Sequence, residues 1–199
     1  MITRKGQLTR DRILTAAAAL VYERGVAGTS TEDVQAAAGV SASQLYHYFA
    51  DKRSLAHAVV QYQADAIVGF QESMLARLDS LEALRSWAAT IVDMQRANGF
   101  RGGCPLGSLA SELAESDSAA REDVAAAYRR WHGAIRSGLS NLRNCGGLVD
   151  SADVDKLATA LLTSLQGGLL LAQALRDGEP LETALSTAID HIATFAAVR

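Results

Sequence analysis

Apolar residues recur every three or four positions through almost the whole chain, and glycine, not strand-like alternation, interrupts them. Ile13, Ala17, Leu20 and Val21 form the first stripe, which opens behind Thr9 and stops at Gly25. A long helical stretch runs from Ser54 through Phe70, and others fit residues 81–96, 106–115, 119–142, 152–175 and 181–197. The breaks fall at residues 99–103, 146–147 and 178–180. Hydrophobic residues fill 49% of the 199 positions but aromatic residues only 6%, so alanine and leucine, both strong helix formers, must build the core. The expectation is an all-α fold whose core is large enough to need no staples.

Between the first and the long stretch lie two short ones. Thr29 and Ser30 precede Glu32 and Asp33, carboxylates that suit the positive end of a helix dipole, and Val34, Ala37 and Ala38 make the inner face. Gly39 breaks the pattern, Ser41 or Ser43 can cap the next helix, and Leu45 with Phe49 forms its buried side. Two short helices around a glycine turn make either a plain helical hairpin or a helix-turn-helix, whose second helix fits a major groove about 12 Å wide. The outward face of the second helix favours the latter: it carries Ser43, Gln44, His47 and Tyr48, where a bundle surface would usually show Glu and Lys.

Charge agrees in direction. Residues 1–53 hold seven basic groups against five acidic ones although the whole chain is at −3, so the remainder is acidic. The start of the chain is polar and basic with no apolar run behind it, and the most apolar stretch, residues 161–175, is shorter than the ~20 residues of a membrane span. A cytoplasmic protein with no membrane partner is expected. Cys104 and Cys145 have no Cys or His at zinc-site spacing, and reduced thiols are the default there. Gly102 and Gly107 have the spacing of a phosphate loop, but Ser108 stands where lysine is required. His57, His132 and His191 are scattered, so neither catalysis, a metal nor a cofactor is expected.

Residues 9–55 resemble the TetR/AcrR family of transcriptional repressors. The resemblance rests on Thr29-Ser30-Thr31-Glu32-Asp33-Val34, Ala37-Ala38-Gly39-Val40-Ser41, Leu45-Tyr46-His47-Tyr48-Phe49 and Asp51-Lys52-Arg53-Ser54-Leu55. A second stretch, Gly103-Cys104-Pro105-Leu106-Gly107-Ser108-Leu109-Ala110-Ser111-Glu112, is similar to the motif that opens the sixth helix in the LmrA/YxaF-like branch.

The resemblance implies a three-helix DNA-binding domain over residues 1–53 and a larger helical ligand-binding and dimerisation domain over 54–199. It places Thr29, Ser30 and Thr31 where hydroxyls and helix N-terminal N–H groups meet phosphate. Ala42, Ser43, Gln44 and His47 take base-reading positions, with Gln44 able to bond an adenine edge through both amide atoms. Tyr46, Tyr48 and Lys52 take phosphate-contacting or supporting ones, although Tyr46 suits the core equally well.

For an effector, the resemblance points to Phe70, Met74, Trp87, Ile91 and Met94, and to Phe100, Cys104, Tyr128, Trp131 and His132, as the lining of a mostly apolar pocket suited to a lipophilic or aromatic molecule. Cys104, beside Arg101, offers an alternative: a thiol that senses electrophiles or oxidants. Dimerisation is read at Leu161, Leu165, Gly168, Leu169, Leu185, Ile189 and Ile192, where the last two helices carry more apolar surface than one bundle needs. The implied function is a homodimeric repressor that binds a palindromic operator and is released by a small molecule.

Overall fold

The computed structural model describes residues 3–197 and is helical throughout except for loops and one isolated antiparallel bridge, Leu148 to Ala196. Its helices among the described residues are α1 (Arg4–Arg24), α2 (Thr31–Ala38), α3 (Ala42–Tyr48), α4 (Lys52–Leu75), α5 (Leu81–Ala97), α6 (Pro105–Leu113), α7 (Ser118–Asn144), α8 (Val154–Leu175) and α9 (Glu179–Ala193). The expected all-α class and helix order are observed. The chain packs as two compact units, Met1–Ala66 with Pro105–Ala127, and Ile67–Cys104 with Tyr128–Arg199.

In the first unit α1 begins at Arg4, ahead of the expected Thr9, because the Thr3 hydroxyl accepts the Gly6 N–H at 3.1 Å and caps it. Ile13, Leu14 and Ala17 of α1, Val34 and Ala38 of α2, Leu45 of α3 and Leu55 and Val59 of α4 are buried. Burying a side chain of the Val or Leu class contributes about 1.5–3 kcal/mol, so this small cluster is what holds two helices too short to be stable alone. Thr15 and Tyr62 share a hydroxyl hydrogen bond of 3.2 Å that ties α1 to α4.

In the second unit α8 and α9 pack along each other and α5 packs on α9. Gly168 permits the first contact: a Cβ there would lie 2.9 Å from the Leu181 Cα. Pro180 sits in the first turn of α9, where a missing N–H leaves no bond unmade. The helix ends at Ala193, short of the expected 197, because the chain beyond it pairs with a loop. Val149 N–H donates to the Phe195 carbonyl at 2.8 Å and Ala197 N–H to that of Gly147 at 3.4 Å. α8 begins at Val154, two residues after the expected start at 152, and is, at 22 residues, long and apolar enough by composition to cross a membrane. Its Leu157, Leu161, Leu165 and Leu169 are nevertheless buried inside the unit, the mark of a core helix.

Candidate functional site

Local hydrogen bonds set both short helices. Ser30 caps α2: its hydroxyl accepts the Asp33 N–H at 3.1 Å, and the Asp33 carboxylate accepts the Ser30 N–H at 3.0 Å. The Ser30 hydroxyl and backbone N–H, with Arg24 nearby, hold the Asp33 carboxyl below the usual carboxylate range. Gly39 then takes a left-handed conformation, φ 62° and ψ 44°, with no atom within 4 Å of where a Cβ would sit. Backbone geometry, not crowding, demands glycine in the turn.

Of the two candidate caps for α3, the structure uses Ser41. Its hydroxyl accepts the Gln44 N–H at 3.2 Å, and the Gln44 Oε1 accepts the Ser41 N–H at 3.0 Å. Gln44 thus has its side-chain acceptor turned back into the helix start, where it caps α3. Ala42, Ser43 and His47 are exposed beside it. Tyr46 is also exposed rather than core, with its hydroxyl 3.4 Å from that of Thr31 at the α2 start. Tyr48, half-buried, meets the His47 ring edge-on at 4.9 Å between centroids, and Lys52 opens α4 in solvent.

Thr29 does not belong with these. It is only 4% exposed, its hydroxyl donates to the Gly25 carbonyl at 2.8 Å, and its N–H reaches the Val26 carbonyl at 3.4 Å. Its polar atoms hold the turn between α1 and α2, leaving Ser30 and Thr31 as the hydroxyls near the surface.

Side chains to which the sequence pattern assigned no contact fasten this module. Glu112 of α6 accepts the Val26 N–H at 2.7 Å and the Ala27 N–H at 3.4 Å. Gly25 makes room for it, since a Cβ there would lie 2.8 Å from the carboxylate. Arg53 forks onto Asp117 with bonds of 2.6 and 2.8 Å, and Asp117 also accepts the N–H groups of Ala119 and Ala120 that open α7. The Arg53 guanidinium, then the Ala120 N–H, hold the Asp117 carboxyl far below its ordinary value. His57 completes the group, its Nδ1 2.6 Å from Asp123 and its Nε2 3.4 Å from Asp117.

In the second unit Trp87, Ile91, Cys104 and Trp131 are buried, and Met74, Phe100, Tyr128 and His132 are half-buried. Tyr128 and Trp131 stack nearly parallel at 6.4 Å. The Trp131 Nε1 donates to Gln71 at 3.0 Å and the Tyr128 hydroxyl to Gln166 at 3.2 Å. Burial, and next to it the Cys104 side chain, push the Tyr128 hydroxyl above its usual pKa. Phe70, 46% exposed, and Met94, 54% exposed, turn outward, which corrects their assignment to an interior lining. Phe100 holds a left-handed φ of 54° while Arg176 donates to its carbonyl at 2.9 Å, so it pins the loop before α6. His132 has its Nε2 3.1 Å from the Thr159 hydroxyl of α8.

The N-terminal model of the bacterial tetR family of regulatory proteins matches residues 13–59, and the C-terminal domain model of LmrA/YxaF-like transcriptional regulators matches residues 80–187. The chain belongs to the TetR family. A Lactococcus lactis HTH-type transcriptional regulator from the lacX 3' region is 28% identical over 183 residues, covering 88% of each chain. An HTH-type regulator of Mycobacterium tuberculosis is also 28% identical over 183 residues, 87% of this chain and 88% of its own. Among solved structures, a TetR transcriptional regulator from Chloroflexus aurantiacus superposes with a TM-score of 0.82 at 29% identity, over 99% of this chain and 100% of its own. The protein is a helix-turn-helix transcriptional regulator of that family.

In this TetR-family chain the residues expected at a dimer contact lie inside the fold. Leu161, Leu165, Gly168, Leu169, Leu185, Ile189 and Ile192 are all buried within the single chain, so none offers a free face. Gly168 admits the chain's own α9 rather than a partner helix. The large apolar side chains that α8 leaves exposed are Leu170, Leu171 and Leu175. Gln71 and Gln166 were the other omissions, and their signal was available: each is a polar side chain among apolar neighbours of a helix.

Proposed function

We propose that this TetR-family protein is a ligand-responsive repressor that binds a palindromic operator as a homodimer and is released by a small apolar effector. The observation that carries the reading is α3: a short helix, capped at Ser41 and backed by the buried Leu45, presents Ser43, His47 and Tyr46 to solvent. Residues 1–53 act as the DNA reader in this reading and 54–199 as the effector and dimer region. Ser30, Thr31, Tyr46, Tyr48 and Lys52 position the reader on phosphates, while Ala42, Ser43 and His47 face the bases.

The effector is received in the interior around Trp87, Ile91, Tyr128 and Trp131, whose aromatic surface suits a lipophilic molecule. Binding there favours a dimer whose half-site spacing no longer fits the operator. The two-fold contact is made through the exposed Leu170, Leu171 and Leu175 of α8. Cys104 supports this reading and not a thiol sensor, because it is buried and hydrogen-bonded to Tyr128, whereas a sensor thiol needs exposure. The protein performs no catalysis in this role and works in the cytoplasm, where its DNA lies.

Selection from random duplexes by the purified full-length protein, followed by sequencing, tests it. A palindromic consensus bound by one or more dimers is expected. Binding with no sequence preference, or recovery of single half-sites by a monomer, overturns the reading.

A further inference from the structure

The stretch that contains α2 and α3 is held at both of its ends by one short segment of the first unit. At its entry the Glu112 carboxylate of α6 accepts the Val26 N–H at 2.7 Å and the Ala27 N–H at 3.4 Å. At its exit Arg53 forks onto Asp117, immediately before α7. From the entry a run of short contacts leads to α3. Thr29 closes the turn onto the Gly25 carbonyl at 2.8 Å, Ser30 caps α2, and the Thr31 hydroxyl lies 3.4 Å from that of Tyr46. Glu112 and Ala27 are both exposed, so water can take these N–H groups when the carboxylate is removed, and the fold loses little. What goes with the carboxylate is the fixed place of the turn.

We propose that Glu112 is a positioning residue for DNA binding: by holding the Val26 and Ala27 N–H groups it sets where the start of α2, with Ser30 and Thr31, meets the phosphates. Two consecutive N–H groups on one carboxylate fix both the place and the orientation of the turn, and such charge-assisted bonds are about twice as strong as neutral ones. Gly25 serves the same contact, since a Cβ there would lie 2.8 Å from the carboxylate. The sign of the effect separates position from charge. Removing a negative group from a DNA-binding unit raises affinity where charge alone acts, and lowers it where the carboxylate places the turn. This inference rests on the reading of α2 as a phosphate-contacting helix start.

The test uses the full-length protein with two labelled duplexes, one that it selects from a random pool and one of scrambled sequence. Glu112→Ala should raise Kd about tenfold on both, the scale of one phosphate hydrogen bond, with thermal stability and base preference almost unchanged. Glu112→Gln, which keeps an acceptor oxygen without the charge, should restore most of the affinity. In a Thr31→Ala background the effect of Glu112→Ala should shrink several-fold, because both changes then act on one contact. Equal or tighter binding by Glu112→Ala, while Thr31→Ala weakens binding, overturns this inference alone. So do additive losses in the double variant, or a Gln variant as weak as the Ala one. A Glu112→Ala protein that melts far below wild type or does not fold makes the role merely structural and overturns it too. A Thr31→Ala variant that binds like wild type overturns the phosphate reading of α2 and this inference with it.

Discussion

The Gln44 side-chain oxygen accepts the Ser41 backbone N–H at 3.0 Å, so the residue best suited by type to read adenine is engaged in capping its own helix. The same oxygen lies 3.4 Å from the Ser41 hydroxyl, which donates to it as well. Only the amide N–H pair can then face a base, and releasing the oxygen would strip α3 of half its cap.

Gln44→Ala should accordingly lower operator affinity by a similar factor on all sequences and destabilise the protein by about 0.5–1 kcal/mol, the lower part of the range for a lost cap. Titration against operators altered one base pair at a time checks this. Relaxed preference at a single pair per half-site would mean that the amide leaves Ser41 when DNA binds.

Lys52 and Arg53 are adjacent and carry the same charge, but Arg53 is already bonded to Asp117. Lys52→Ala should weaken binding to every DNA and reduce the salt dependence by about one unit per subunit. Arg53→Ala should leave that slope nearly unchanged and reduce thermal stability instead. Identical slopes for wild type and the Lys52 variant would remove Lys52 from the phosphate contacts.

Two glycines in the first unit should respond differently to alanine. At Gly39 the only penalty is the left-handed backbone, about 1 kcal/mol, because the space is open. At Gly25, φ 74° and ψ 170° are joined by a clash with Glu112, so Gly25→Ala should cost about 2–3 kcal/mol. Thermal melts of the two variants give the comparison, and a smaller loss at Gly25 would show that Glu112 moves aside freely.

Asp117 has a carboxyl pKa lowered below its ordinary 3.8, with the Arg53 hydrogen bond the main cause. A depressed folded value stabilises the native state at pH above the ordinary value, and the contribution is lost as pH falls through and below about 4. Asp117→Asn should therefore melt below wild type near neutral pH, and the gap should begin to narrow only as the pH is lowered from about 4 toward the depressed folded value. A gap that is constant across that range would show that charge plays no part.

Leu169 and Leu170 are neighbours on α8, 4% and 65% exposed. Leu169→Glu should unfold the second unit by burying a charge, seen as loss of helical circular dichroism. Leu170→Glu should keep the fold and release monomers in sedimentation at micromolar concentration. A Leu170→Glu variant that remains dimeric would move the two-fold contact to another face.

Local chemistry decided the helix order, the two short helices and their glycine turn. Caps and periodicity act over about four residues, so Ser30, Gly39 and Ser41 are legible where they stand. Periodicity also marked the apolar side chains of α8, but not which of them α9 would cover. Leu161, Leu165 and Leu169 read like Leu170 in the sequence and were separated from it only by packing. Glu112 at Val26 and Asp117 at Arg53 lie 86 and 64 residues from their partners, beyond the reach of any local pattern. Gln44 shows the same limit at short range: its residue type allowed a base contact or a cap, and the folded geometry of Ser41 selected the cap. Tertiary structure decided these points because a side chain's partner depends on which surfaces meet, and that is settled by the burial of the whole chain.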